Sequence, residues 1–336
     1  MATIKDVSEL AGVSQATVSR VLNGTTRVDD DKKRRVMDAI KTLGYRPNAH
    51  AKSLASNRSN SIGMVVSELA GPYFGEMMAG AEAVIRRNDK QMLIASSHAS
   101  EAEEKDVIDF LVSCRCDALI LHAETISDDD LLKVQEQGID LVLLNRFIPQ
   151  IADQCFVLDN ELGGFLATEH MIQQQRRRVA CILGPQWKHD AKERFDGYMR
   201  ALKQYQVPFD PELIVDGDFQ EAGGRSGVEK LLQKGVQFDA LVCANDEMAL
   251  GAMELLTQRD IAIPEQVAVI GFDDIAYARY VTPKLSSIHF PVRQIAADAA
   301  WLVMQRAYKI EPPQPVAQKI TPILVPRQSS LCSSVG

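Results

Sequence analysis

Ile4-Lys-Asp-Val-Ser-Glu-Leu-Ala-Gly12, continued by Val13-Ser-Gln-Ala-Thr-Val-Ser-Arg-Val-Leu-Asn23, is the stretch whose reading decides the amino-terminal fold. Ile4, Val7, Leu10 and Ala11 recur at helical spacing on one face, with Lys5, Ser8 and Glu9 on the other. Thr3 and Asp6 form a capping pair for the start of that helix, and Gly12-Val13 breaks the pattern. Ser14 then offers its hydroxyl as the N-cap of a second short helix, which Asn23-Gly24 can close. In that helix Val18, Val21 and Leu22 point one way, Ala16, Ser19 and Arg20 the other, and Gln15 lies at the edge. Two short helices on a tight turn, the second small and polar on its outer face, predict a helix-turn-helix. Such a face suits a major groove, because Gln and Arg make paired hydrogen bonds to base edges. A plain two-helix corner in a globular core is the competing reading of this segment.

Charge favours the first reading. The chain carries a net −8, but residues 1–58 hold 11 Lys/Arg against 6 Asp/Glu while the remainder holds 26 against 39. A small basic head on an acidic body is the asymmetry of a DNA reader joined to a separate sensor. Asp29 to Asp31 can cap a third helix that runs to Leu43, with Val36, Ile40 and Leu43 inward and Gly44 at its end. Lys32, Lys33, Arg34 and Arg35 crowd its first turns and are either phosphate contacts or a solvated face. In the linker, Pro47 biases Arg46 towards an extended shape, and Asn48 can cap a short helix over 49–55. A helix so short does not hold by itself in water, and can fold only where DNA and a partner chain support it.

From Ser61 the pattern alternates. Apolar runs at 62–66, 92–95, 117–121 and 141–144, then 179–183, 240–243 and 267–270, predict strands. Helical patterns lie between them at about 74–88, 102–113 and 128–137, then near 190–205, 222–233 and 246–258. The alternation implies parallel sheets covered by helices on both faces, with too many strands for one modest sheet. Cys116-Asp-Ala-Leu-Ile120 is faintly echoed by Phe238-Asp-Ala-Leu-Val242; two similar lobes with a late crossover around 286–292 are the architecture of periplasmic sugar-binding proteins. The expected domains are a headpiece at 1–46, a hinge at 47–60, a two-lobed body at 61–327 and a flexible tail at 328–336.

Ligands of open parallel sheets bind beyond the carboxyl ends of the strands. That rule selects Asn145-Arg146, Asn245-Asp246 and Asp273-Asp274, whose planar polar groups suit vicinal sugar hydroxyls; Asp246 and Asp274 serve equally well as helix N-caps. Tyr73, Phe74 and Phe219 are candidates to cover the apolar face of a pyranose.

Other classes are poorly served. No apolar run approaches a membrane span of roughly 18 residues, and no signal-peptide core is visible, so a cytoplasmic location is expected. The six cysteines are scattered and no Cys/His set has zinc spacing, so reduced thiols without metal are expected. No Gly-x-Gly-x-x-Gly follows the first strand, no Gly-x-x-x-x-Gly-Lys-Ser/Thr occurs, and no catalytic triad is recognisable. Neither an enzyme nor a bound cofactor is expected. A periplasmic sugar-binding protein is argued against by the absent signal and the basic headpiece.

The opening Ala2-Thr-Ile-Lys-Asp-Val7, Ala11-Gly-Val-Ser14, Ala16-Thr-Val-Ser-Arg-Val-Leu-Asn23 and Gly44-Tyr-Arg-Pro-Asn48 resemble the lactose-repressor family of transcription factors, and the likeness runs to about Arg327. The resemblance implies an all-α helix-turn-helix headpiece on an α/β body of two parallel-sheet lobes, like the periplasmic binding proteins. It implies DNA contacts from Thr3, Ser14, Gln15, Ala16, Thr17, Ser19, Arg20 and Asn23. From the hinge it implies Asn48, Ala51 and Leu54, with Leu54 wedged into the minor groove. It places Arg194, Phe219, Asn245 and Asp273 at effector positions, beside Asp190, Arg146, Tyr73 and Phe74. Arg115-Cys-Asp-Ala-Leu119, Leu144-Asn-Arg-Phe-Ile-Pro149 and Arg279-Tyr-Val-Thr-Pro283 are most similar to the galactose repressor and isorepressor branch. The implied partners are a pseudo-palindromic operator, a second copy of the chain and a small sugar, with a corepressor mechanism as the alternative. The tail after Arg327 lacks apolar heptads, so a tetramerising coiled coil is not expected.

Overall fold

A computed structural model of the chain describes residues 2–23, 28–45 and 58–331. The chain divides into two compact units, residues 1–60 and residues 61–336.

In the first unit, α1 (Ile4–Ala11) opens on a reciprocal cap between Thr3 and Asp6, and closes at Gly12 in the left-handed conformation. Ser14 caps α2 (Gln15–Asn23) by accepting from the Thr17 amide at 3.2 Å. Asp29 caps α3 (Asp30–Leu43), which ends at left-handed Gly44. Val7, Ala11, Val18, Val36 and Ala39 form the core where the three helices meet, flanked by Val21, Leu22, Ile40 and Leu43. Leu10, expected inside, is 55% exposed, whereas Ser8 is buried and donates to the Lys5 carbonyl at 2.8 Å. Hinge positions Asn48, Ala51 and Leu54 lie outside the described residues, as does the side chain of Asn23.

The second unit has two lobes. The first is built in chain order from β1 (Ser61–Val66), α4 (Pro72–Arg87), β2 (Gln91–Ser96), α5 (Glu101–Ser113), β3 (Ala118–Leu121), α6 (Asp128–Glu136), β4 (Asp140–Leu144) and β5 (Cys155–Leu158). The chain then crosses to α7 (Asn160–Gln173), β6 (Val179–Leu183), α8 (His189–Gln204), β7 (Ile214–Asp216), α9 (Glu221–Gln233), β8 (Ala240–Cys243), α10 (Asp246–Gln258), β9 (Ala268–Asp273) and β10 (Ser286–His289). It returns through α11 (Val292–Tyr308) and β11 (Lys319–Ile320), and β12 (Ile323–Val325) finishes in the second sheet. The sheet orders are β11-β5-β4-β3-β1-β2 and β12-β10-β9-β8-β6-β7, all parallel except for β12. The echoed strands β3 and β8 occupy the same place in the two sheets.

One crossover was expected and three are present, after Leu158, after His289 and after Ile320. The sequence reading also passed over α7 and α11. Both are buried on more than one face, so neither shows the apolar stripe of a surface helix. Helix α7 lies so close to α8 that a Cβ on Gly164 would stand 2.0 Å from the Arg194 carbonyl oxygen. The flexible tail expected from 328 begins as packed chain. Ser329 and Ser330 are fully buried, Ser329 Oγ donates to the Val269 carbonyl at 2.6 Å, and Ser330 Oγ lies 2.7 Å from His170 Nε2. The five described cysteines are free thiols, and burial pushes Cys116 and Cys181 up to about 12. No helix of the described residues is long and apolar enough to cross a membrane.

Candidate functional site

On the headpiece, the outer face of α2 presents Gln15, Ala16 and Arg20 exposed, with Thr17 and Ser19 half-buried. Ser14 and Thr17 are joined, hydroxyl to hydroxyl, at 2.9 Å, and Thr3 is held by Asp6, so these three also build the helix starts. The tight turn is braced from α3, because Arg35 Nη2 donates to the Gly12 carbonyl at 3.2 Å. One of the four cations at the start of α3 is therefore engaged in fixing the angle between α1 and α2. Arg34 is paired with Asp31 at 2.5 Å.

In the body, the carboxyl ends of both sheets face a cleft between the lobes, where the strand-end rule placed a ligand. The cleft has two chambers. An inner one of about 370 Å³ is lined from the first lobe by Ser67, Tyr73 and Phe74, and from the second by Arg194, Phe219 and Asp273. An outer one of about 760 Å³ is lined by Asn145, Arg146, Phe147, Asn160, Trp187 and Lys319. His122, Glu124, Lys188 and Asp190 border both.

Arg194 is the best-anchored of these groups. It is buried on α8, donates through Nη1 to the Ala244 carbonyl at 2.6 Å and through Nε to Asn160 Oδ1 at 3.0 Å. Its guanidinium lies 3.7 Å from the centre of the Phe272 ring. Nη2 is left facing two carboxylates, Asp273 Oδ1 at 3.5 Å and Asp190 Oδ2 at 3.8 Å. Asp273 ends β9 at φ 101°, a conformation costly for an aspartate, and is nine-tenths buried. Its Oδ1 accepts no hydrogen bond. Burial pushes its carboxyl up to about 7, against the pull of Arg194 and with the repulsion of Asp190 and Glu247. A buried acceptor without a donor is costly, and a ligand hydroxyl would satisfy it.

Asn245, expected to bind ligand directly, lines the inner chamber and also makes two bonds within its own lobe. It caps α10 by accepting from the Met248 amide at 3.0 Å, and its amide donates to the Phe219 carbonyl at 2.8 Å. It therefore positions Phe219, which stands at φ 69° with its ring in space left open by Gly184. Tyr73 and Phe74 pack edge to face at 5.2 Å on the first turn of α4. Asp190 accepts from Asn145 across the cleft at 3.0 Å and from the Ala191 amide at 2.8 Å. Arg146 is held in its own lobe by Asp128 and the Ala123 carbonyl, and faces the outer chamber, away from Asp273.

Neither Asp246 nor Asp274 is a helix cap. Asp246 is fully buried and accepts from the Ile275 amide and Ser287 Oγ, at 2.8 and 2.6 Å. Asp274 gathers Arg327 Nη2 at 2.5 Å, His289 Nδ1 at 3.1 Å and Arg279 Nη2 at 3.4 Å.

The sequence reading missed the second connection between the lobes. Lys188 Nζ reaches both oxygens of Glu124, at 2.9 and 2.8 Å, and Ser67 Oγ donates to the same carboxylate at 2.9 Å. The Glu124 loop is fixed from behind by fully buried Glu104, which accepts from the amides of Glu124, Thr125 and Ile126. Glu104 sits in an ordinary amphipathic helix, and only the fold reveals its partners.

Residues 3–48 match the family described as bacterial regulatory proteins, lacI family, and residues 168–330 match a periplasmic binding protein-like domain. The chain is 39% identical over 329 residues to the HTH-type transcriptional regulator GalR of Salmonella typhimurium, covering 98% of this chain and 96% of that protein. Among solved structures it is similar to a lac repressor dimer bound to operator and the anti-inducer ONPF, with TM-score 0.87, 25% identity and coverage of 98% and 99% of the two chains. It is also similar to a complex of the transcriptional regulator CelR with cellobiose, with TM-score 0.71, 30% identity and coverage of 98% and 100%.

Proposed function

Because this chain belongs to the lacI family of bacterial regulatory proteins, and so is a DNA-binding transcriptional regulator and not an enzyme, we propose that it is a homodimeric, cytoplasmic repressor released from its operator by a small sugar. The observation that carries the reading is Asp273. A buried carboxylate oxygen without a donor lines a chamber of about 370 Å³, beside a guanidinium and in company with Tyr73, Phe74 and Phe219. That set matches a pyranose: Asp273, Asp190 and Arg194 for hydroxyls, and Phe219, Tyr73 and Phe74 for the apolar face. Asn245 holds Phe219, and Arg146 serves the outer chamber. The likeness to the galactose repressor branch makes galactose the first hexose to test.

On DNA, Gln15, Ala16 and Arg20 read base edges from the outer face of α2, with Thr17 and Ser19 beside them and Thr3, Ser14 and Asn23 at the helix ends. Asn48, Ala51 and Leu54 fold into the minor groove as the two hinges pair. The cleft acts through its lobes, because a ligand shifts an equilibrium only by binding the two arrangements unequally. Lys188–Glu124 and Asp190–Asn145 join the lobes, and a sugar that replaces these contacts changes how the lobes meet.

The test is selection of a binding site from random-sequence DNA by the full chain, followed by titration of the complex with hexoses. A pseudo-palindromic site released by a hexose supports the reading. A purine that tightens the complex, with hexoses inert, replaces it with a corepressor mechanism.

A further inference from the structure

Resting on the reading of the inner chamber as a sugar site, we infer that it selects a ligand bearing positive charge as well as hydroxyls, an amino sugar, and excludes sugars bearing carboxylate or phosphate. The argument is one of charges already matched and charges left over.

Seven carboxylates line the inner chamber against two fixed cations, Lys188 and Arg194. Both cations are engaged: Lys188 holds Glu124, and Arg194 is tied to Ala244 and Asn160 with Asp190 and Asp273 beside it. An incoming anion therefore finds no free cation. Among the carboxylates, Glu124 has Lys188, Asp190 has Asn145, and Asp218 accepts from the Gln220 amide at 2.8 Å. Asp273 faces Arg194 Nη2 at 3.5 Å, yet its Oδ1 accepts no hydrogen bond while nine-tenths buried. Glu68, Glu221 and Glu247 form no salt bridge among the described residues; Glu68 and Glu221 are exposed to solvent and Glu247 is half-buried.

The chamber therefore carries more negative than positive charge, and Glu247 and Asp273 are the members of that excess least open to solvent. Burial, with the charges of Glu221 and Glu68, pushes the Glu247 carboxyl up to about 7, where Asp273 also stands. Glu221 and Glu247 lie in the first turns of α9 and α10, where the helix dipole favours a carboxylate, and Glu68 follows β1 in the other lobe, exposed to solvent, so acidic groups border the chamber from both lobes. The carboxylates do not converge on one point: no group of three or more acidic, His or Cys side chains among the described residues could hold a metal ion. Acceptors spread around a space of about 370 Å³ suit an organic cation better than a metal. An ammonium in place of one hydroxyl brings three donors and no acceptor, and each bond it makes to a carboxylate is charged at both ends.

The experiment is calorimetric titration of the full chain at one pH with four ligands on one skeleton: galactose, 2-amino-2-deoxygalactose, 6-amino-6-deoxygalactose and galacturonate. The expected result is that at least one amino sugar binds tenfold or more tighter than galactose, and galacturonate tenfold or more weaker. Glu247→Gln should bring the ratio of amino sugar to galactose affinity towards one. Amino sugars no tighter than galactose, or galacturonate as tight as galactose, would overturn the inference and leave the sugar reading standing. No heat with any of the four would remove the sugar reading and this inference with it.

Discussion

Replacing Asp273 with alanine removes a deeply buried acceptor of the cleft that no protein group among the described residues satisfies with a hydrogen bond. A charge-assisted hydrogen bond to a sugar hydroxyl contributes about 1.5–3 kcal/mol, so the loss should be roughly ten- to 150-fold in affinity. Protonation modifies that figure. With the carboxyl pushed up to about 7, half the sites are neutral at that pH, which weakens the wild-type bond by about 0.4 kcal/mol. The deduction vanishes in more alkaline buffer, so the gap between wild type and Asp273→Ala should widen as pH rises from 6 to about 8.5. The fold should tolerate the change, because Arg194 keeps its bonds to Ala244 and Asn160. Operator affinity, read by fluorescence anisotropy without sugar, should be that of wild type. The sugar concentration for half-release should rise by the same factor as the calorimetric dissociation constant. Release at the wild-type concentration would refute the placement of the site. A pH-independent gap would refute the protonation argument alone.

Asp273 and Glu247 also make stability depend on pH. Both carboxyls hold their protons more tightly folded than unfolded, so the ligand-free protein should gain stability as pH falls through about 7, with the gain complete near the unfolded values of about 4. Melting temperatures that rise steadily from pH 5 to 8 in the absence of ligand would contradict this. Gly164→Ala would set a Cβ 2.0 Å from the Arg194 carbonyl oxygen and force α7 and α8 apart, which costs about 1–3 kcal/mol and lowers the melting temperature by roughly 2–10 °C. Gly75→Ala, on a helix with open space around the new Cβ, should cost nothing in the same thermal scan. Arg20→Ala should lose about 1–3 kcal/mol on the selected operator and relax preference at one base pair per half-site. Equal losses on operator and random DNA would show instead that Arg20 contacts phosphate.

Much of this protein was legible because local chemistry decides it. The helix-turn-helix followed from Thr3, Gly12 and Ser14, which act on neighbours within three or four residues, and from apolar spacing that survives folding with only Leu10 and Ser8 displaced. The parallel strands were legible as short apolar runs, and their order in the sheets put Asn145, Asn245 and Asp273 at the carboxyl ends, where a cleft forms. Helices α7 and α11 were not legible, since burial on several faces erases the period that marks a helix. Roles that depend on distant partners were decided by tertiary structure alone. Asn245 and Asp273 are both polar strand-end residues in sequence. Only packing makes one a cap that steers Phe219 and leaves the other buried without a donor. Glu104, Glu124 and Lys188 carry no local signal at all: the first fixes a loop about twenty residues on, and the other two meet across 64 residues of chain from opposite lobes. A sequence records the chemistry of each group and its near neighbours, whereas a binding site depends on which hydrogen bonds remain unmade once distant segments have met.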